Sequence, residues 1–485
     1  MPPSLLALWP LLAAGVAVAL AAIASLHVLL CKRDSRAAFG WMGLIWLVPF
    51  LGGATYLLIG INRVETAASR RRRRHGTPAS FPQSAATAVS PAALEEALGP
   101  DGAHLAALAG YATRLGMRPL VAGNEVEPLV NGDAAYPRML AAIAGARRTL
   151  ALASYIFNRD EVGQEFVSAL AAAHRRGVDV RVIVDDAGAL LALPSVVGVL
   201  RRAGVAATHF LPTFGAWRLL SVNLRNHRKL LVADGRVAFL GGLNIDSRSK
   251  LELGLAGSAR DLHFRVEGPL VAQLVSVYAL DWFTCTGEEL PRDAWFPPLG
   301  SAGTSIARTV DAGPDDRREL LRWILLGALA CAQRTVRIVT PYFLPDPALV
   351  VALGVAANRG VSVDVVVPGR TDLPFVAWAM FDQLVPVLER GVRVWRSPPP
   401  FDHSKLMVVD GAWSLVGSAN WDARSLRLNF ELVTEVWDRG LAARLDAMVE
   451  ARIAAARPVT IDELAAQGVL VRLRGGLSRL FAPYY

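Results

Sequence analysis

The sequence predicts an α/β protein: two tandem α-β-α sandwich domains forming one pseudo-two-fold active site, preceded by two transmembrane helices. Three observations carry that prediction. Two 23-residue stretches, HRKLLVADGRVAFLGGLNIDSRS from His227 and HSKLMVVDGAWSLVGSANWDARS from His403, agree at 11 of 23 positions without a gap. A β-α-β pattern stands upstream of each copy. Two apolar stretches, residues 4–31 and 37–61, open the chain without a single Asp, Glu, Lys or Arg.

Both apolar stretches reach the roughly 20 residues that a helix needs to cross a bilayer core. Residues 32–36, KRDSR, form a tight charged turn between them. The first stretch lacks a basic start and a second follows at once, which argues against a cleaved signal peptide. The competing reading is a pair of buried core helices. Three basic residues lie in the turn (Lys32, Arg33, Arg36), and six follow the second stretch (Arg63 and Arg70 to Arg74). The larger cluster predicts a cytoplasmic location for everything downstream. The run Arg70 to Arg74 is either a solvated linker or a headgroup-facing patch. Hydrophobic content of 53% and a mean hydropathy of +0.35 suit membrane segments.

The domain boundaries follow from composition. Residues 1–63 are the two-helix anchor, and 64–116 a basic linker with helical patterning near 105–115. The first domain runs over 117–295 and the second over 296–485, with the Pro-rich stretch 281–306 as the boundary. In the first domain, residues 149–157 (TLALASYIF) pattern as a strand, 161–176 as a helix and 178–184 as a strand. The order recurs at 335–343 (TVRIVTPYF), 347–359 and 361–367. Each unit implies a parallel strand pair with a crossover helix. The duplication therefore covers whole domains.

Each copied stretch holds His-x-Lys-x4-Asp: His227, Lys229 and Asp234, then His403, Lys405 and Asp410. On a strand, residues i and i+2 face one side, so each histidine and its lysine point together. Asp-Gly then signals a hairpin turn, and Asp234 and Asp410 fix that hairpin or balance the lysines. The second strand ends in Gly-Gly or Gly-Ser; Gly242 and Ser418 let backbone approach a ligand. Asn244 and Asn420 offer amide donors to the same place. Only four lysines occur among 51 basic residues, and two of the four lie in these motifs. Where arginine has replaced lysine nearly everywhere, a compact ammonium at a phosphate site is a specific choice.

These residue types suit attack on a phosphodiester. Two lysines and two asparagines supply fixed positive charge and donors for the non-bridging oxygens. One imidazole attacks phosphorus and the other shuttles a proton. Neither step demands a metal or a cofactor, and Cys31, Cys285 and Cys331 lie too far apart in sequence for a metal cluster. A carboxylate on the other ring nitrogen commonly orients such a histidine. The candidates are Asp261, 34 residues after His227, and Glu431, 28 residues after His403. His263 is a supporting candidate, while His104, His174 and His209 read as ordinary surface or core residues. A single His-x-Lys strand is usually surface decoration; two in matched context are not.

With these motifs the chain resembles the phospholipase D superfamily, and within it the membrane-anchored bacterial cardiolipin synthases. The similarity rests on the two trios, on NLRNHRK at 223–229, GGLN at 241–244, RDLH at 260–263, VEGP at 266–269, DWF at 281–283 and NFE at 429–431. Ala259 departs from the tryptophan that often stands there in the family. The resemblance implies phosphatidyl transfer between two phosphatidylglycerol molecules, giving cardiolipin and glycerol through a phosphohistidine. It implies His227 as nucleophile and His403 as acid/base, although pseudo-symmetry leaves the reverse open. It also implies the bacterial inner membrane as the location and the bilayer as a partner. The rivals are a phospholipase D-type hydrolase, a transferase with another acceptor and an inert lipid-binding scaffold. Nucleic acid is not an expected partner, and the sequence does not speak to oligomeric state.

Overall fold

The computed structural model describes residues 3–32, 35–60, 88–186, 195–210, 225–314 and 319–480. The arginine run 70–74 and most of the expected linker lie outside these residues. The chain divides into two compact units, one holding the amino-terminal helices and one holding the α/β body.

In the amino-terminal unit, Pro3–Cys31 is one helix, and its segment Trp9–Cys31 is long and apolar enough to cross a membrane. The second apolar stretch does not form one matching helix. It breaks into Ser35–Leu47, Pro49–Thr55 and a π-helical turn Tyr56–Gly60. Val48 leaves helical geometry at φ −137°, and Pro49 has no N–H to continue the ladder. The expected pair of spanning helices is thus corrected: among the described residues, one helix has spanning length. Ala21, Ala24 and Val28 pack against Ile45 and Tyr56. His27 Nδ1 meets the Tyr56 hydroxyl at 2.7 Å, and Trp46 Nε1 donates to Ser25 Oγ at 3.0 Å. The outer surface of this unit is leucine-rich and exposed, including Leu11, Leu12, Leu30, Leu47 and Leu51. Water is a poor solvent for such a surface.

Among the described residues the body is built on one 15-stranded sheet. The first half supplies β1 (Val121–Val130), β2 (Thr149–Ser154), β3 (Asp179–Asp185), β4 (Ala206–Phe210), β5 (Leu230–Ala233), β6 (Val237–Gly241) and β8 (Leu262–Glu267), with the short β7 (Ala259–Arg260) apart from it. The second supplies β9 (Ser305–Ala312), β10 (Thr335–Val339), β11 (Ser362–Pro368), β12 (Arg393–Ser397), β14 (Leu406–Val409), β15 (Trp413–Gly417) and β16 (Glu431–Trp437), with β13 (Phe401–Asp402) apart and β17 (Arg457–Pro458) at the edge. From the centre outward, one half reads β1-β8-β6-β5-β2-β3-β4 and the other β9-β16-β15-β14-β10-β11-β12. The halves meet where β1 pairs antiparallel with β9. The pseudo-two-fold relation of the duplicated halves centres on that seam.

Helices cover both faces, as the sandwich class requires. Leu270–Thr286 and Arg439–Ala455 share one core across both halves, through Leu274, Tyr278, Leu441 and Leu445. On the other face each half has its own core. The helices Pro91–Leu98 and Ala106–Arg114 belong to the second of these. Leu94, Leu98, Leu105 and Leu108 pack with Ile324 and Leu325. The described part of the segment read as linker and helix, from residue 88 on, is therefore a structural layer of the second half. The expected boundary at 281–306 begins inside the Leu270–Thr286 helix, where Asp281 takes Arg228 Nη1 at 2.5 Å.

Candidate active site

Each motif lysine stands just ahead of a hairpin, β5–β6 or β14–β15. At the turns Asp234 and Asp410 both have φ 52°, and the following glycines φ 64° and 62°. Two successive positive φ values define the tight turn that aspartate and glycine favour. Neither aspartate reaches a histidine or lysine of the motifs. Asp234 accepts the backbone N–H groups of Arg147, Arg148 and Thr149, and Asp410 those of Gln333, Arg334 and Thr335. Each carboxylate ties its hairpin to the start of the neighbouring central strand. Of the two roles the sequence allowed, the geometry supports the hairpin one, and neither aspartate joins the residues that line the cavity with the histidines. Asp410 has a further partner that the sequence reading missed: His104 Nε2, at 2.6 Å, from the layer ahead of the first domain.

The histidines are delivered by an exchange between the halves. The backbone before His227 bridges Phe430, and His227 N–H donates to Phe430 O at 2.9 Å. In turn β13 pairs with β7, and His403 N–H donates to Arg260 O at 2.7 Å. This crossing decides the carboxylate partners. His227 Nδ1 lies 3.0 Å from Glu431 Oε2 and 3.1 Å from Ser418 O. His403 Nδ1 lies 2.7 Å from Asp261 Oδ2. The sequence had set Asp261 after His227 and Glu431 after His403. The structure reverses the pairing, because each histidine sits beside the other half's strand.

The surroundings fix the protonation pattern. Two oxygens face His227 Nδ1, so that nitrogen carries the proton and Nε2 keeps its lone pair. Burial pulls His227 down to about 4 against the opposing pull of Glu431. Burial would raise Glu431, but His227, Lys229 and Ser418 outweigh it and hold the carboxyl below its usual range. Ser418 Oγ donates to Glu431 at 2.5 Å and Asn429 Nδ2 at 3.1 Å. Asp261 is likewise held low, with Lys405 and His403 outweighing its burial. Burial lowers His403 as well. It brings Lys229 to about 7 and Lys405 to about 8, opposed first by Glu431 and by Asp261 respectively. Lys229 Nζ donates to His227 O at 2.7 Å and lies over the Tyr155 ring, 5.2 Å from its centroid. Lys405 Nζ donates to His403 O and stands 2.7 Å from His403 Nδ1.

Gly242 and Ser418 occupy equivalent positions, each donating its N–H to the strand that carries the carboxylate. A Cβ on Gly242 would lie 2.2 Å from Asp261 Oδ1, so that half cannot take a side chain there. Gly241 and Gly417, at φ 153° and 150°, sit flat against Leu262 O and Leu432 O. Asn244 Oδ1 accepts Ile156 N–H at 3.1 Å, whereas Asn420 Oδ1 is buried without a partner. His263, 1% exposed, fills the space over Gly241 with both ring nitrogens unpartnered; its counterpart is Val433.

His227 and His403 line one cavity of about 350 Å³. Asn244, Asp261 and Asn420 line it too. So do Tyr155, Tyr342, Arg225, Asp372, Asp422 and Arg424, which the sequence reading did not single out. The tyrosines had a weak signal, since each stands near the end of a copied strand pattern ahead of its motif, one position out of register with the other. Burial brings Asp422 up to about 6. Among the described residues no three His, Cys, Asp or Glu side chains gather as a metal-binding group.

Two tandem α/β halves presenting paired His-x-Lys strands to one cavity define the phospholipase D-like class. A solved phosphatidylserine synthase from Haemophilus influenzae Rd KW20 shares the fold, with a TM-score of 0.62 at 15% identity, over 78% of this chain and 100% of that one. The family model described as "Cardiolipin synthase, PLD-like domain" matches residues 139–274 and 325–453, and a phospholipase D-nuclease N-terminal model matches 19–60. The chain is 32% identical over 478 residues to cardiolipin synthase A of Pseudomonas aeruginosa, covering 98% of this chain and 95% of that protein. It is 30% identical over 469 residues to a cardiolipin synthase of Geobacillus kaustophilus, covering 95% and 91%. The chain belongs to the phospholipase D-like cardiolipin synthase family.

Proposed function

We propose that this protein is a phosphatidyltransferase that makes cardiolipin and glycerol from two phosphatidylglycerol molecules. The observation that carries the reading is the convergence of His227 and His403 on one cavity, each held at Nδ1 by a carboxylate. His227 Nε2 attacks phosphorus, and the bond from phosphorus to the glycerol oxygen breaks. His403, as imidazolium braced by Asp261, gives its Nε2 proton to the departing glycerol. A headgroup hydroxyl of the second phosphatidylglycerol then returns a proton to His403 and attacks phosphorus, releasing His227. Lys229, Lys405 and the Asn244 and Asn420 amides stabilise charge on the non-bridging oxygens. Asp372 and Asp422 give the cavity acceptors for a polyol headgroup. The tautomer of His227, pinned by Glu431 and the Ser418 carbonyl, supports its role as nucleophile.

The same reading places the protein in the bacterial inner membrane, with Pro3–Cys31 as the span, the broken Ser35–Gly60 segment packed on it, and the body on the cytoplasmic side. The test is direct. Membrane-embedded protein is incubated with labelled phosphatidylglycerol alone, and cardiolipin with equimolar glycerol is expected. Phosphatidic acid as sole product would instead make it a phospholipase D-type hydrolase.

A further inference from the structure

We propose that the outward face of the Val469–Leu480 helix docks on an anionic phospholipid bilayer. The inference rests on the lipid reading of the site, and goes beyond it by assigning the surface through which the body engages the membrane. Leu470, Leu473, Leu477 and Leu480 follow the spacing i, i+3, i+7, i+10 and so share one helix face. An amphipathic helix on a soluble domain turns such a stripe into the core. Here the four leucines are 61% to 81% exposed. The residues turned inward are the small Gly475 and Ser478.

The reversal is built in. A Cβ on Gly475 would lie 3.2 Å from both Trp378 O and Asp382 Cβ, so the helix is seated directly on Pro374–Gln383. The Arg474 guanidinium lies 4.2 Å from the Trp378 ring centroid, and Arg479 Nε pairs with Asp382 at 3.1 Å. These attachments fix the rotation that leaves the leucines outside.

Charge selects the occupant. The helix carries Arg472, Arg474 and Arg479 and no acidic residue. Arginines flanking an apolar stripe suit acyl chains bordered by anionic headgroups. A second copy packed stripe to stripe would set Arg472 and Arg474 near their copies with no acidic residue on the helix to offset them. The Pro374–Gln383 helix that seats this face also contributes Val376 to the catalytic cavity, and Leu373 at its N-cap contributes a second lining residue. Docking here sets the cavity one helix from the lipid surface.

The test uses the full chain in phosphatidylglycerol-containing vesicles. Leu473→Cys, in a background with Cys31, Cys285 and Cys331 changed to Ala, carries an environment-sensitive fluorophore. Quenching by brominated acyl chains is expected at this position and not at a Glu450→Cys control on the body. Quenching by aqueous iodide alone, or protection only through cross-linking to another copy, would overturn the proposal. Leu473→Ser with Leu477→Ser is the functional arm. Turnover of vesicular substrate should fall about tenfold, with turnover of dissolved short-chain phosphatidylglycerol unchanged. Equal loss on both substrates would mark the helix as merely structural and reject docking. If the parent protein turns over neither substrate, the catalytic reading fails while the quenching result still decides docking.

Discussion

The His227 half and the His403 half share strand order, hairpin turn and lysine placement, but differ in what holds the histidine. Glu431 reaches His227 with help from Ser418 and Asn429, beside a backbone carbonyl. Asp261 reaches His403 from one methylene nearer the backbone, and Gly242 leaves it the room. Lys405 crowds the His403 ring nitrogen, whereas Lys229 leans on Tyr155. His263 stands where the second half has Val433. Duplication thus preserved the frame and let the proton inventory diverge. His227 Nδ1 faces two oxygens and His403 Nδ1 an oxygen and an ammonium, a difference on which the proposed roles of attack and proton exchange rest.

The largest expected effect breaks the comparison outright. His227→Ala should lower turnover by on the order of 10⁴-fold or more and abolish any acid-labile phosphoenzyme. His403→Ala should lower turnover by roughly 10²- to 10⁴-fold, yet still form that adduct slowly. Adduct in His227→Ala but not in His403→Ala, read by trapping with phosphorus-labelled lipid, would reverse the roles.

The next effect tests the crossing. Glu431→Gln should slow adduct formation, and Asp261→Asn should slow the proton-transfer steps, each by roughly 10²-fold or more. The Nδ1–H resonance of His227 should shift in Glu431→Gln and that of His403 in Asp261→Asn, and the reverse assignment would contradict the crossed pairing.

Smaller still is the exchange of surroundings. Ser418→Gly copies Gly242 into the second half and removes a donor that keeps Glu431 ionised. The Glu431 pKa should rise, moving the acidic limb of the kcat/KM profile to higher pH, with about a tenfold loss near neutrality. On the alkaline side both lysines lose charge as pH rises through 7 to 8 in the empty site, so kcat/KM should fall there. A profile flat to pH 9 would remove the lysines from phosphate binding.

The smallest effect concerns the hairpins. Asp410→Asn should cost about 2 kcal/mol of stability by chemical denaturation, more than Asp234→Asn, which lacks a histidine partner, and both should leave kcat nearly unchanged. Asp410 is held below the usual carboxylate range, with backbone donors outweighing burial. Its contribution is complete above the unfolded pKa and is lost as pH falls through the folded one, so the gap to the parent should close in acid.

The sequence carried the frame well, because strand period, Asp-Gly turns and a gapless repeat are local signals. The β-α-β units at Thr149 and Thr335 and the placement of both His-x-Lys pairs follow from them. The carboxylate partners do not, since strand exchange between domains leaves no periodicity in either strand. The second apolar stretch has the length to span, yet Pro49 divides it, and hydropathy alone is blind to a missing N–H. His104 looked ordinary because its partner is Asp410, more than 300 residues away. The copied aspartates carry no local sign of which role they take, because a turn made twice repeats its residues just as a reactive group does.

The crossed pairing bears on the order of synthesis. When the ribosome has finished the first half, His227 exists without Glu431, without the carbonyl of Ser418 and without the strand at Phe430 that seats it. The nascent chain holds the proposed nucleophile without the oxygens that fix its tautomer, in a protein whose proposed substrate is a membrane phospholipid. Reactivity is assembled only once residues near 431 have emerged and folded back across the seam, so a truncated product is a silent one.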